Sequence, residues 1–226
     1  MQKKTIIILS IVSSILSLIY IIFSYYGLLR YTSLYMYSSE SYQRNYNKLE
    51  HGNEKKSKIV VSLSATNIKK IKPLINSILD QTIRVDLIYI VVSPKQKYKL
   101  PDNLKNIVFL IKSGKNYREA ANLIPILSRE EDSSTILITL GNNTIYGKDF
   151  LENLLDESKN HHDSVIYVKN NTNKINLNSG SLFKINFFDE EFLNLPTNIN
   201  PHNWIDNYFK DKPKHEIKYS SNYKII

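Results

Sequence analysis

Hydrophobic and polar positions divide this chain into three unequal stretches. Residues 5–29 carry no charged side chain, from Thr5-Ile-Ile-Ile-Leu to Gly27-Leu-Leu29. As a helix at about 1.5 Å per residue this run reaches about 37 Å, and a bilayer core needs roughly 20 such residues. A cleaved signal peptide would have a shorter apolar region, about 7–15 residues, ending in small residues. No Ala-x-Ala site closes this run, and Tyr20, Tyr25, Tyr26 and Tyr31 gather at its C-terminal end as interfacial aromatics do. The expected organisation is a flank at 1–4 and an uncleaved single-pass anchor at 5–29. Lys3 and Lys4 precede the anchor and Arg30 and Arg44 follow it. The positive-inside rule then favours a cytoplasmic N-terminus, with the main domain on the other side.

Residues 30–57 form the second stretch, expected to be a juxtamembrane stem with a short linker at Gly52-Asn-Glu-Lys-Lys-Ser57. Tyr35, Tyr42 and Leu49 recur every seven residues, with Tyr31, Leu34 and Tyr46 on a similar face. That spacing leaves open an extension of the membrane helix or self-association of two stems.

From residue 58 to 226 the pattern is that of a folded domain. Short apolar runs at 58–64, 85–92, 107–111, 135–140 and 164–168 read as strands. Between them, apolar positions at helical spacing predict a helix over Ile68–Leu79, one around Ala120–Leu127 and one from Lys148 to Lys159. Strands that are apolar on both faces and alternate with helices predict an α/β domain: a mainly parallel sheet flanked by helices. Residues 170–178, rich in Asn, Thr and Lys, predict a surface loop. Ser181–Phe188 predicts a strand and turn, and Trp204–Phe209 a short helix.

Composition changes this picture little. The formal charge is +9, but the 30 basic residues are 25 Lys and 5 Arg, alongside 31 Ile, 25 Asn and only 3 Ala. Lys, Asn and Ile at the expense of Ala and Arg point to an A/T-rich genome as a source of the basicity. No basic stripe with interleaved aromatics is present, which argues against nucleic-acid binding. Cysteine is absent, so the chain carries no redox signature. Two glycosylation sequons, at Asn142 and Asn170, are open to use or to chance in so Asn-rich a chain.

Several segments, in order and spacing over roughly residues 58–212, resemble a family of GT-A-type glycosyltransferases of large DNA viruses and microbes. Val60-Val-Ser-Leu63 resembles its first strand, Ile75-Asn-Ser-Ile-Leu-Asp-Gln81 the end of its first helix, and Asp86–Val92 its second strand. Tyr117-Arg-Glu-Ala-Ala-Asn-Leu123 stands where the family has Tyr-Gly-Pro-Ala-Thr-Lys-Leu. Gly180–Phe188 resembles the strand over the acceptor side, and Trp204–Phe209 the helix after a late acidic pair. Thr139-Leu-Gly-Asn-Asn-Thr-Ile-Tyr-Gly147 occupies the place of the "DxD" turn. The resemblance implies a GT-A-like (nucleotide-diphospho-sugar transferase-like) fold and a nucleotide-sugar donor held through a divalent metal.

The departures fall on the chemistry. Gly141, Asn142 and Asn143 replace the carboxylates that would bind Mn²⁺ or Mg²⁺. Amide oxygens can ligate, but they bring no charge to offset a diphosphate leaving group. Pro201 and His202 take the place of the late acidic pair, where the family keeps its general base. Asp206 lies nearby at a Ser position, and Asn122 replaces a Lys. No metal site and no cofactor are therefore expected. Asp206 and His202 are the candidate catalytic groups, and Asn142, Asn143, Asn122 and Arg118 the candidate nucleotide or substrate contacts. Each has a plain alternative: Asn142-Asn143 as a turn pair, His202 as a surface histidine, and Lys112, Lys115 and Arg118 as a solvated basic loop instead of a substitute for metal charge. His161-His162 at a helix end suits the helix dipole. The expected protein is a pseudo-glycosyltransferase in a host or virion membrane, with a binding, scaffolding or structural role. An active metal-independent sugar transferase is the alternative. A lipid membrane is the expected partner, with a nucleotide sugar or glycan as the candidate ligand.

Overall fold

The computed structural model describes residues 2–52, 57–65, 71–95, 100–113, 117–169, 174–189, 192, 201–219 and 223–224. Seven strands form one sheet: β1 (Ile59–Ala65), β2 (Leu87–Val92), β3 (Val108–Lys112), β4 (Ile136–Leu140), β6 (Val165–Val168), β7 (Ser181–Lys184) and β8 (Lys214–Ile217). A two-residue strand, β5 (Thr144–Ile145), pairs separately with β9 (Tyr223–Lys224). The strand order in the main sheet is β3-β2-β1-β4-β7-β6-β8. Strands β1, β2, β3 and β4 are parallel, and β8 is parallel to β6. Only β7 runs antiparallel, to both β4 and β6. Each predicted strand is present within one or two residues of its expected ends.

The continuous apolar runs have a direct cause: the central strands are covered on both faces. Val61, Leu63, Ile88, Ile90, Ile138, Ile166 and Leu182 point into one layer. Val60, Val91, Leu137, Val165 and Phe183, one residue out of phase, point into the other. That is the period of two set by the pleat. Helices α4 (Ile71–Leu79) and α6 (Phe150–Asn160) cover the first layer. The second lies under the 3₁₀ turn Arg118–Asn122, the short helix α5 (Ile124–Leu127) and helix α7 (Pro201–Tyr208). Ile68, expected in the first helical face, lies outside the described residues.

Two expectations about the N-terminal region are corrected. Helix α1 (Gln2–Tyr25) is exposed along its length and is long and apolar enough to cross a membrane. It stops four residues before the predicted end of the anchor, because Gly27 adopts a left-handed conformation (φ 68°, ψ 11°) that β-carbon-bearing residues rarely take. Leu28 and Leu29 begin a new helix, α2 (Leu28–Met36), followed by α3 (Ser39–Tyr46), whose N-terminus Ser38 caps through its hydroxyl.

Helices α2 and α3 do not form a stem that stands apart. Leu34 and Tyr46 are fully buried, and Tyr42 and Leu49 pack on the core. The Tyr46 hydroxyl accepts from the Val85 amide at 2.8 Å and donates to the Val85 carbonyl at 3.2 Å. Asn76 of α4 donates to the Leu34 carbonyl at 2.7 Å. Most of the face that suggested pairing of two stems, Leu34, Tyr42, Tyr46 and Leu49, is thus turned onto the domain itself. Tyr35, Met36 and Tyr37 remain exposed.

Candidate functional site

The turn after β4 lies at the C-terminal edge of the parallel strands, where open α/β sheets hold ligands. Its backbone is fixed from three directions. Tyr146, almost wholly buried, accepts a hydrogen bond from the Gly141 amide at 2.7 Å, so the turn closes on its own aromatic residue. The backbone amide of Tyr146 in turn donates to the Ser77 hydroxyl of α4 at 3.5 Å. Gln81, just past α4, donates to the Gly147 carbonyl at 2.7 Å and accepts from the Leu151 amide at 3.0 Å. Ser77 and Gln81 belong to the segment that carried the family resemblance, and their work is to fix the chain on either side of the turn. Burial holds the Tyr146 phenol well above its usual pKa.

The fourth constraint on the turn was not foreseen. The segment 174–179 crosses it. Ile175 and Leu177 are buried, so the loop expected at the surface over 170–178 is tucked into the second core layer along its last residues. The rest of that loop, 170–173, lies outside the described residues. A β-carbon built on Gly141 would meet the Asn178 carbonyl oxygen at 2.2 Å. Backbone therefore fills the space that a side chain at the first position of the turn would need. The only sequence signal for this was the glycine itself.

The candidate residues relate to that segment more than to one another. Asn122 is fully buried, and its amide bridges the Leu140 carbonyl at 3.1 Å and the Leu177 carbonyl at 2.8 Å. It thus joins the end of β4 to the crossing segment, and its Oδ1 has no hydrogen-bond partner among the described residues. Asp206 accepts from the Ile175 amide at 3.0 Å through Oδ1, while Oδ2 is buried without a partner among the described residues. Asn142 is half-buried and Asn143 exposed within the turn. For Arg118 and His202 the backbone is placed, in the 3₁₀ turn and in α7, but their side chains lie outside the described residues, as does Lys115. Lys112 is exposed at the C-terminal end of β3.

Charge does gather beside the turn, from residues the sequence did not single out. Arg30, in α2, donates to the Asp80 carboxylate at 2.6 Å and to the Tyr146 carbonyl at 3.0 Å. Lys148 approaches the same Asp80 at 3.5 Å. Asp149, next to Lys148, accepts from the Tyr219 hydroxyl, which draws its carboxyl below the usual range. Arg30 belongs to the helix that follows the apolar α1, so the first element after the candidate membrane span touches the candidate site directly.

No family model matches the sequence, and no curated protein matches it. Solved structures do resemble the fold. The 4-diphosphocytidyl-2C-methyl-D-erythritol synthase of Anaerococcus prevotii DSM 20548 superposes with a TM-score of 0.52 at 15% identity, covering 75% of this chain and 90% of that one. A CMP:2-keto-3-deoxy-manno-octonic acid synthetase solved with CTP gives a TM-score of 0.45 at 9% identity, over 72% of this chain and 91% of that one. At 15% identity the first likeness shows the fold alone: a mostly parallel sheet flanked by helices.

Proposed function

We propose that this chain is a membrane-anchored, GT-A-like glycosyltransferase homologue that has lost metal-dependent sugar transfer and keeps the fold for binding or scaffolding at a membrane surface. The observation that carries this reading is the turn after β4. It offers Gly141, Asn142 and Asn143 where a metal site needs carboxylates, and the Asn178 carbonyl covers Gly141. A unit-charge pair at 4 Å is worth about 4 kcal/mol at an effective dielectric near 20, so neutral amides forfeit much of the attraction that holds a metal–diphosphate pair. Helix α1 supplies the anchor, with the N-terminus assigned to the cytoplasmic side from the positions of Lys3 and Lys4.

The second reading, a metal-independent transferase acting on a nucleotide sugar, draws on Arg30 and Lys148 beside the turn. Both cations already face Asp80, whose single carboxylate offsets one of the two charges.

The test uses the full chain in nanodiscs with a panel of nucleotide sugars, with and without Mn²⁺, read by melting temperature and by release of nucleotide. A ligand at a hundredfold excess over its dissociation constant stabilises the native state by about 2.7 kcal/mol. The expected result is no shift that requires both Mn²⁺ and nucleotide sugar, and no turnover. A shift requiring both would refute the loss of metal-dependent binding. Turnover without metal would favour the second reading. Asn142→Asp with Asn143→Asp should create a weak divalent site without transfer, because Pro201 and His202 supply no carboxylate base and a general base contributes about 10²–10⁴-fold.

A further inference from the structure

We propose a second, unrelated site: a divalent transition-metal site of the zinc class formed by Glu157, His161 and His215 at the opposite end of the sheet from the turn. Glu157 and His161 are four residues apart, on α6 and at its C-terminal cap. His215 comes from β8, opposite Ile166 near the start of β6. One carboxylate oxygen, Glu157 Oε2, faces both imidazoles, at 3.3 Å from His215 Nε2 and 3.8 Å from His161 Nε2. One ligand atom from each residue lies within 4.8 Å of the other two.

These separations suit a metal. With Zn–N near 2.0–2.1 Å and Zn–O near 2.0–2.2 Å, the edge of a tetrahedron of ligands is about 3.4 Å. The donor set also selects the class of ion. Two imidazoles and one carboxylate suit zinc and its late first-row neighbours, whereas Ca²⁺ and Mg²⁺ take all-oxygen shells. Three protein ligands leave the fourth position to water. The rings now stack at 3.6 Å between centroids and 18° between planes, so binding requires them to turn until both lone pairs converge. His161 and His215 side chains are 39% and 33% exposed, which leaves room to turn and a path for the ion. Neighbouring charges are engaged with each other: Lys159 with Asp156 at 2.8 Å, and Lys169 with Glu216 at 3.0 Å.

The site would clasp α6 to the edge strand β8. That strand leads through Tyr219, whose ring packs on Phe150, to β9, which pairs with β5 directly after the candidate turn.

The experiment titrates ZnCl₂, and separately CoCl₂, into the full chain in detergent or nanodiscs. It is repeated with Glu157→Gln, His161→Ala, His215→Ala and, as a control, the exposed neighbour His162→Ala. The expected result is one Zn²⁺ per chain, a raised melting temperature and a tetrahedral Co²⁺ absorption band. Each of the three ligand variants should weaken binding by at least the roughly 10–100-fold that even an outer-shell partner is worth. His162→Ala should bind as the wild type does. Circular dichroism of the metal-free variants reports that they are folded. Binding that survives His215→Ala, or that His162→Ala removes, would overturn the proposal, as would no stoichiometric binding to the wild type.

Discussion

Replacing Gly141 by alanine tests whether backbone truly occupies the ligand place. The added β-carbon would sit 2.2 Å from the Asn178 carbonyl oxygen, and ordinary contact begins at 3.4 Å. The crossing segment must therefore retreat by about 1.2 Å, the difference between those two distances. It cannot do so freely. Asn122 donates to the Leu177 carbonyl at 2.8 Å, the Asn178 amide donates to the Asn176 side chain at 2.8 Å, and the Ser179 amide donates to the Asn176 carbonyl at 3.0 Å. Forcing an extra carbon into a packed site costs about 1–3 kcal/mol. Stretching the Asn122 bond inside the core adds about 1–3 kcal/mol for a buried amide left unsatisfied. Loss of glycine's freedom in the unfolded chain returns about 0.4–1 kcal/mol. The net expectation is a destabilisation of about 3 kcal/mol, or about 6–12 °C in melting temperature for a chain of this size. Thermal unfolding followed by circular dichroism would measure it, with Asn143→Ala, exposed in the same turn, expected to stay within about 0.5 kcal/mol. A Gly141→Ala protein melting within about 2 °C of the wild type would show that the segment does not seal the turn. Both the account of the site and the argument against a side chain at its first position would then fail.

Three further outcomes follow from the contacts around the turn. Tyr146→Phe keeps the ring against Phe150 but leaves the Gly141 amide without its acceptor, an expected loss of about 1–3 kcal/mol by chemical denaturation. Asp80→Asn should cost about 1–3 kcal/mol, because Arg30, whose Nε already lacks a partner among the described residues, loses its carboxylate; amide exchange over 28–36 should accelerate, and unchanged exchange there would deny α2 its anchoring role. Burial raises the phenol pKa of Tyr46, Tyr89 and Tyr146, that of Tyr89 to about 12 with help from its bond to Glu130. A folded-state pKa above the unfolded value favours the neutral form in the fold. That stability is therefore complete below about pH 10 and is lost as pH rises through the folded values. Tyr146→Phe should accordingly lose less stability than the wild type between about pH 10 and 12, measured by denaturant titration at each pH.

What could be read from sequence divides along a physical line. Strands β1, β2 and β4 were legible because they are buried on both faces, and double burial writes itself as an unbroken apolar run. The end of α1 was misplaced because Leu28 and Leu29 are as apolar as what precedes them; only the φ of Gly27 separates the two helices. Residues 170–178 read as surface because their Asn and Lys outnumber the two apolar residues, Ile175 and Leu177, whose burial depends on partners far along the chain. The pairing of His215 with Glu157 and His161 was hidden for the same reason: two of the three lie at helical spacing, but the third arrives on a different strand.

The same line runs through the candidate site. Ser77, Gln81 and Tyr146, which kept the family pattern, are the residues whose hydrogen bonds hold the turn and its flanks in place. Positions 122 and 141–143 carry neutral groups, and two of them serve the crossing segment: Asn122 binds the Leu177 carbonyl, and Gly141 makes room for the Asn178 carbonyl. Neutral groups at these positions spare the fold the cost of desolvating charge there. Hydrogen bonds to backbone groups hold this scaffold, and it is the scaffold that the strand order and the likeness to a solved structure report.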